Sequence, residues 1–456
     1  MITVRAQKWL VGILLSIGIL IIAVAPVTLA SQEGEFNANI DWQKFAGTRL
    51  KVAMCSHPAT RFLEPILGEF EALTGMDISF DTYETDALRQ KMQTEMMAGK
   101  AIHNAFMLHL APMHSWVSHG WIEDIAPYLN NPEFTDKSWY DFDDFIPSFG
   151  KFAKGMDPSM PWQLEPDELW GIPLDAYTSI LYYRKDLYKK HGIYKTPTSF
   201  PELYEQIGKL TLPDKGVYGY VGRRRRAHAG HHWTQYLISW GGHWFDENMN
   251  PGIDSPEAIE AYKFYQSLEQ FATPGIADLN YPECLSEYAA GRAAFWIDMG
   301  FGQSTLEDPS LSKVVGKVGY APCPVGKAGL KSYGWSWLLA IPSTAKNKEA
   351  AWYFIQWATS KEVYLKGLMD IGCPRASVTN SKKFAERNAK DWVYTTSLMA
   401  QPAIFSAAPV PLVERSSELM DALGIEMGYV TAGIKTPVEA MRAAGEKWRE
   451  IAAELK

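Results

Sequence analysis

Apolar positions along this chain fall into two rhythms that repeatedly trade places. Short runs of consecutive or alternating apolar residues suit strands, and stretches with an apolar residue every third or fourth place suit helices. After Thr48 the run RLKVAM is strand-like, and Phe62, Ile66, Phe70 and Leu73 follow at helical spacing until Gly75 stops them. The strand DISFDTY comes next, then a helix opened by Thr85 with Leu88, Met92 and Met96 on one side, then the apolar run NAFMLHL. This βαβαβ alternation predicts a largely parallel sheet covered by helices. Ligands of such sheets collect beyond the carboxyl ends of the strands, so Ser56, His57, Tyr83 and His109 are candidates by position alone.

The pattern loses its period between Pro127 and Asp167, where Asp, Pro and aromatic residues crowd together, and this reads as a long surface excursion. Regular structure resumes with LWGIPLDAYTSILYYRKDLYKKHGI, a strand-turn-strand-helix pattern, and Ser199 with Glu202 forms a capping box for PELYEQIGKL. A strand GVYGYVG, a helix around Trp233 to Trp240, the turn GGHWFDENMNPGID and a helix opened by Pro256 follow. Between Gly291 and Pro342 lie three β-type runs: GRAAFWID, which ends on Asp298, then KVGYAPCPVG, then YGWSWLLAIP. Trp335 and Trp337, two positions apart on the last run, share one face, which either meets a helix layer or lines a cleft. A helix from Asn347, the segment GCPRAS and a terminal helix capped by Thr436 and Glu439 complete two αβ halves.

The first thirty residues stand apart. Arg5 and Lys8 precede WLVGILLSIGILIIAVA, and Thr28-Leu29-Ala30 follows, the pattern of a secretory signal over residues 1–30 cleaved after Ala30. The other reading is a retained anchor, since about 17 apolar residues is near the least that spans a bilayer. Export would bring Cys55, Cys284, Cys323 and Cys373 into an oxidising compartment, but their wide spacing fits buried free thiols, with one bridge left open.

At 456 residues the chain is long enough for two or three compact units. Its net charge of -8 gives no broad attraction to nucleic acid or anionic membrane. The 17 Trp, 22 Tyr and 20 Phe supply more flat apolar faces than a core needs, leaving some for stacking on a ligand. Arg223 to Arg226 with His228, His231 and His232 form the densest polar cluster; adjacent guanidiniums would repel a cation, whereas one turned inward, best Arg223, could fork onto paired hydroxyls or an anion. Asp246 to Glu257 imitates a calcium loop but has Pro251 where the sharp turn needs glycine, and it reads as a turn before a helix. With no phosphate loop, nucleophile elbow or HExxH, neither a cofactor nor a metal is expected.

Taken together, IPLDAYTSILYYRKDLYKKHGI, GGHWFDENMNP, GRAAFWID, KVGYAPCPVG, WSWLLAIPSTAKNKEAAWYFIQWATS and PRAS resemble the family-1 extracellular solute-binding proteins of ABC importers, most closely the branch that binds sugar alcohols and small sugars. The resemblance implies an α/β, two-lobed periplasmic-binding-protein fold of type II with three hinge crossings, near Pro173, Tyr320 and Cys373. Residues 40–173 and 320–372 would form the first lobe, and 174–319 and 373–456 the second. It implies a periplasmic monomer that holds a small neutral carbohydrate between the lobes and delivers it to membrane permease subunits. Asp175 and Tyr177 would stand at the first crossing, Asp298 after a second-lobe strand, Trp335 and Trp337 on the facing lobe and Arg375 at the last crossing, while His57 and His109 match first-lobe cleft positions. Trp233, Trp335 and Trp337 would offer aromatic platforms, and Asp175, Asp298, Arg223 and Arg375 hydrogen bonds to hydroxyls. AHAGHHW and NYPECLSEY depart from that branch where ligand contacts are expected. The rival classes are a secreted glycoside hydrolase and a receptor coupled to a sensor.

Overall fold

A computed structural model describes residues 36–160, 166–367 and 372–455; the expected signal sequence, 1–30, lies outside the described residues. The first half forms as its pattern predicts. Strands β1 (Arg49–Cys55), β2 (Asp77–Tyr83) and β3 (Ala105–Leu108) are parallel, with Arg49 opposite Asp77 and Val52 opposite Ala105. Their crossovers are helical, ending in Leu67–Thr74 between β1 and β2 and in Thr85–Met97 between β2 and β3. All four residues of β3 are buried, as expected of a central strand covered on both faces.

The short strand β4 (Ile172–Pro173) is followed by β5 (Tyr177–Arg184), which begins a second sheet. Here β5 pairs antiparallel with β7 (Ala293–Met299), and β6 (Tyr218–Val221) runs parallel to β7. Eight residues long, β5 has room on its other edge for two partners: β8 (Val318–Ala321) along its second half and β9 (Ser332–Trp335) along its start. Only then does the chain return to the first sheet, as β10 (Leu338–Ala340) between β3 and β4. A last strand, β11 (Phe405–Ala407), adds to β9. The sheet orders are β2-β1-β3-β10-β4 and β11-β9-β5-β7-β6.

These pairings place two passages between sheets at 174–176 and at Ser336–Trp337, and a third between β10 and β11. The second differs from the expectation at Tyr320, which sits opposite Tyr182 inside the second sheet. An apolar run in sequence does not reveal which edge it will find, and β5 had an edge free for two runs in succession. The excursion read between Pro127 and Asp167 is not a surface feature either. Tyr140, Phe145, Phe149 and Phe152 are buried, and the rings of Phe149 and Phe152 lie 5.2 and 5.9 Å from Phe405 of the other half.

Each half has its own aromatic core. Phe70, Phe354 and Trp357 pack together under the first sheet. In the second, helix Ala227–Trp240 packs against Pro256–Ser267 and Ser416–Thr431, which in turn meets Pro437–Ala452. The four cysteines are buried and unpaired. Asp246 spends its carboxylate inside its own turn, accepting the Asn248 and Asn250 N–H groups and the Asn250 amide.

Candidate functional site

A cavity of about 370 Å³ opens between the two sheets, at the carboxyl ends of β1 and β3. Two histidines enter it from those ends. His57 and His109 each follow a strand and cap the next helix, and each Nδ1 accepts a backbone N–H two residues on, from Ala59 and Ala111, at 3.2 Å. Burial, with nearby arginines adding to it, holds both rings neutral: His57 is pushed down to about 3 and His109 well below the usual imidazole range. The His109 ring lies 4.5 Å from Trp335 and 5.1 Å from Trp337. The two indoles, 6.3 Å apart and nearly perpendicular, sit at the second passage between sheets and line the cavity.

From the other side come Tyr177, Arg223, His228, His231, Asn280, Tyr281 and Phe301. The Phe301 ring lies 4.4 Å from Tyr177, 4.1 Å from Tyr281 and 6.3 Å from His57, so the two halves meet around one aromatic chamber. Arg223 leaves the end of β6 and Asp298 stands near the end of β7. Two parallel strands bring them together: Arg223 Nε donates to Asp298 Oδ2 at 2.8 Å and Nη2 to Oδ1 at 2.5 Å. Asp298 also accepts the Trp296 indole N–H at 3.2 Å and the Met299 N–H at 2.8 Å. With its oxygens engaged and no exposed surface, this carboxylate reaches the cavity only through Arg223, which lies 5.0 Å over the Tyr281 ring.

Asp175 also turns away from the cavity. Its Oδ1 accepts the Trp337 N–H at 2.7 Å, and Ser336 Oγ donates to its backbone oxygen at 2.6 Å, tying the first passage to the second. Complete burial raises this carboxyl well above the usual carboxylate range. Its Oδ2 lies 3.8 Å from His57 Nε2, beside the Tyr177 hydroxyl.

Three other candidates lie elsewhere, for reasons a sequence does not display. Trp233 is core, edge-on to Trp244 and Tyr262. Arg375 is fully buried at the third passage, donating from Nε to Thr359 O at 2.7 Å and from Nη1 to Asp141 O at 2.9 Å, with its guanidinium 4.2 Å from the Phe145 ring. Tyr83 donates to Asp81 at 3.4 Å, outside the cavity wall. In place of these, the structure adds Asn280, Tyr281, His228, His231 and Phe301. The first four come from NYPECLSEY and AHAGHHW, the segments whose departure from the resembled pattern marked them. Phe301 carried only the signal of following Asp298 past the strand end.

The wall is chemically uneven. His228 Nδ1 is buried with no hydrogen-bond partner, while the buried Tyr177 and Tyr281 hydroxyls and Asn280 Oδ1 make no well-formed hydrogen bond beyond the neighbouring Asp175, Tyr182 and helix cap. The charge on Arg223 is met by Asp298, and Arg61 and Glu84 at the rim are of opposite sign. Beyond Thr85, His109, His228 and His231 the space continues into a more polar recess of about 570 Å³.

Comparison with known proteins identifies the family. A family model described as bacterial extracellular solute-binding protein matches residues 57–364. The erythritol/L-threitol-binding protein of Mycolicibacterium smegmatis is 29% identical over 341 residues, which make up 72% of this chain and 70% of that protein. The mannitol-binding protein of Pseudomonas aeruginosa is 31% identical over 290 residues, 61% of each chain. Among solved structures, an ABC transporter solute-binding protein from Agrobacterium radiobacter in complex with ribitol matches with a TM-score of 0.77 and 25% identity, over 89% of this chain and 99% of that one.

Proposed function

The chain belongs to the bacterial extracellular solute-binding proteins, and on that premise we propose that it captures a small neutral polyol or sugar between its two halves for an ABC importer. One observation carries this reading: buried polar groups of Tyr177, Tyr281, Asn280 and His228, with few or strained protein partners, surround one aromatic-walled cavity. Each such group costs about 1 to 3 kcal/mol while unpaired. A ligand rich in hydroxyls can satisfy several at once, since every hydroxyl both donates and accepts. Its C–H faces suit Trp335, Trp337 and Phe301. Lining charges that offset one another favour a neutral guest, and relatives that bind erythritol, threitol, mannitol and ribitol support the same class.

The halves hinge at the passages between sheets, with residues 36–173 and 337–367 in the first lobe and residues 174–336 and 372–455 in the second. Closing them removes water from the hydrogen bonds and strengthens these. The protein acts as a periplasmic monomer, exported through residues 1–30, and presents its closed form to permease subunits rather than to nucleic acid. Among the described residues no helix is long and apolar enough to cross a membrane. It returns the ligand chemically unchanged. A glycoside hydrolase needs two carboxyl groups facing across a bond, whereas Asp175 and Asp298 are both turned into the protein. Calorimetric titration with erythritol, ribitol, D-mannitol and simple sugars, followed by recovery of the ligand, tests the proposal. Saturable binding with intact ligand is expected, and either no binding or a hydrolysed product would overturn it.

A further inference from the structure

Strands β1 and β3 end alike, in a histidine whose Nδ1 accepts the N–H of the alanine two residues on. A ring nitrogen that accepts a hydrogen bond carries no proton, so each neutral imidazole is locked as the Nε2–H tautomer and offers the cleft only a donor. The two donors meet different surroundings. His57 Nε2 stands 3.8 Å from the buried Asp175 Oδ2, beside the Tyr177 hydroxyl. His109 is only partly buried, lines both the aromatic cavity and the polar recess beyond it, and has its other ring edge tied to Ala111. No hydrogen bond to its Nε2 is found among the described residues. Packing against Trp335 and Trp337 at 4.5 and 5.1 Å fixes the ring, so the donor cannot swing away.

We propose that His109 is a specificity-determining residue of the cleft: a fixed, donor-only contact that demands an acceptor oxygen from the ligand. This inference rests on the reading of the cleft as a polyol or sugar site and sharpens it. A hydroxyl or carbonyl oxygen satisfies the donor. A methylene leaves it unpaired, and an ammonium sets donor against donor. Deoxy and amino analogues altered at that carbon are therefore rejected, although the lining as a whole tolerates a neutral guest.

Two substitutions separate the cap from the contact, because Asn reproduces the reach of Nδ1 and Gln that of Nε2. In His109→Asn the helix cap survives and the cleft donor is lost; in His109→Gln the reverse holds. Titration of both variants with the tightest-binding member of erythritol, ribitol and D-mannitol should show His109→Asn about tenfold weaker with a melting temperature within about 2 °C of the parent. His109→Gln should stay within about threefold in affinity and melt slightly lower. Wild-type affinity in His109→Asn, or equal losses in both variants, would make the ring a mere prop for Trp335 and overturn the proposal. Nitrogen-15 shifts of the His109 ring in the ligand-free chain decide the tautomer independently: an Nδ1–H ring overturns the inference whatever binds. If none of the polyols binds the wild type, the parent reading fails, while the tautomer still stands or falls on its own signal.

Discussion

Replacing Asp298 tests how the second lobe holds its arginine. In Asp298→Ala the Arg223 guanidinium loses both hydrogen bonds, at 2.8 and 2.5 Å, and the Trp296 indole and Met299 N–H lose their acceptor as well. Arg223 is 9% exposed and Asp298 is not exposed at all, so solvent can replace little of this. Removing one partner of a buried pair leaves an uncompensated charge and costs about 3 to 5 kcal/mol. For a chain of this size that lowers the melting temperature by roughly 3 to 6 °C. Binding should weaken at the same time, because Arg223 would turn toward water and leave the cavity wall. Arg223→Met keeps the volume but leaves the carboxylate with the Trp296 and Met299 donors, so it should destabilise less. The double variant Arg223→Met, Asp298→Leu should recover part of the loss, with a coupling of about 0.5 to 3 kcal/mol. Chemical denaturation and calorimetric titration of the variants read both effects. An Asp298→Ala protein with wild-type stability and wild-type affinity would refute the claim that the carboxylate acts by fixing Arg223.

Further outcomes follow from the same geometry. Trp335→Phe should keep an aromatic face and lose less than about tenfold in affinity, whereas Trp335→Ala should lose clearly more; equal binding by the two would show that the indole is only core. Arg375, which holds the Thr359 and Asp141 carbonyls, should when changed to Met lower stability without altering the ranking of polyols, and a changed ranking by titration would contradict its placement. Because burial keeps the Asp175 carboxyl protonated in the fold while the unfolded chain ionises near pH 4, the native state binds more protons there, and stability falls as pH rises past that value. The melting temperature of Asp175→Asn relative to the wild type should therefore climb as pH rises above about 4; a constant difference would contradict the burial account.

Much of the fold could be read from periodicity because the first half is local. RLKVAM, DISFDTY and NAFMLHL pair in sequence order through short helical crossovers, so pattern and topology coincide. Where pairing is distant the pattern is silent: Tyr320 and Trp335 both join β5, and only the free edge of that strand decides that the chain crosses at Ser336. The stretch from Pro127 to Asp167 looked superficial because it lacks a period. Its aromatic residues nevertheless bridge the halves, as Phe149 does against Phe405.

The site was legible in its strand ends and opaque in its directions. His57, His109, Arg223, Trp335 and Trp337 surround the cavity because strand ends converge there. Asp175, Asp298 and Arg375 sit close by in sequence logic, yet each points into protein rather than into the cavity. Side-chain direction depends on partners far along the chain, such as Trp337 N–H for Asp175 and Asp141 O for Arg375. His228 and His231 were visible in the arginine-histidine cluster, whereas Asn280 and Tyr281 were visible only within a segment that broke a familiar pattern.

A crystal structure of the chain grown with D-mannitol or ribitol tests the central claim most directly. The account predicts ligand density against Trp335 and Trp337, with ligand oxygens within hydrogen-bonding distance, about 2.7 to 3.2 Å, of Arg223, His109 and the hydroxyls of Tyr177 and Tyr281. Density for the polyol anywhere else, or a cavity closed on itself with those four groups paired to one another, would contradict it.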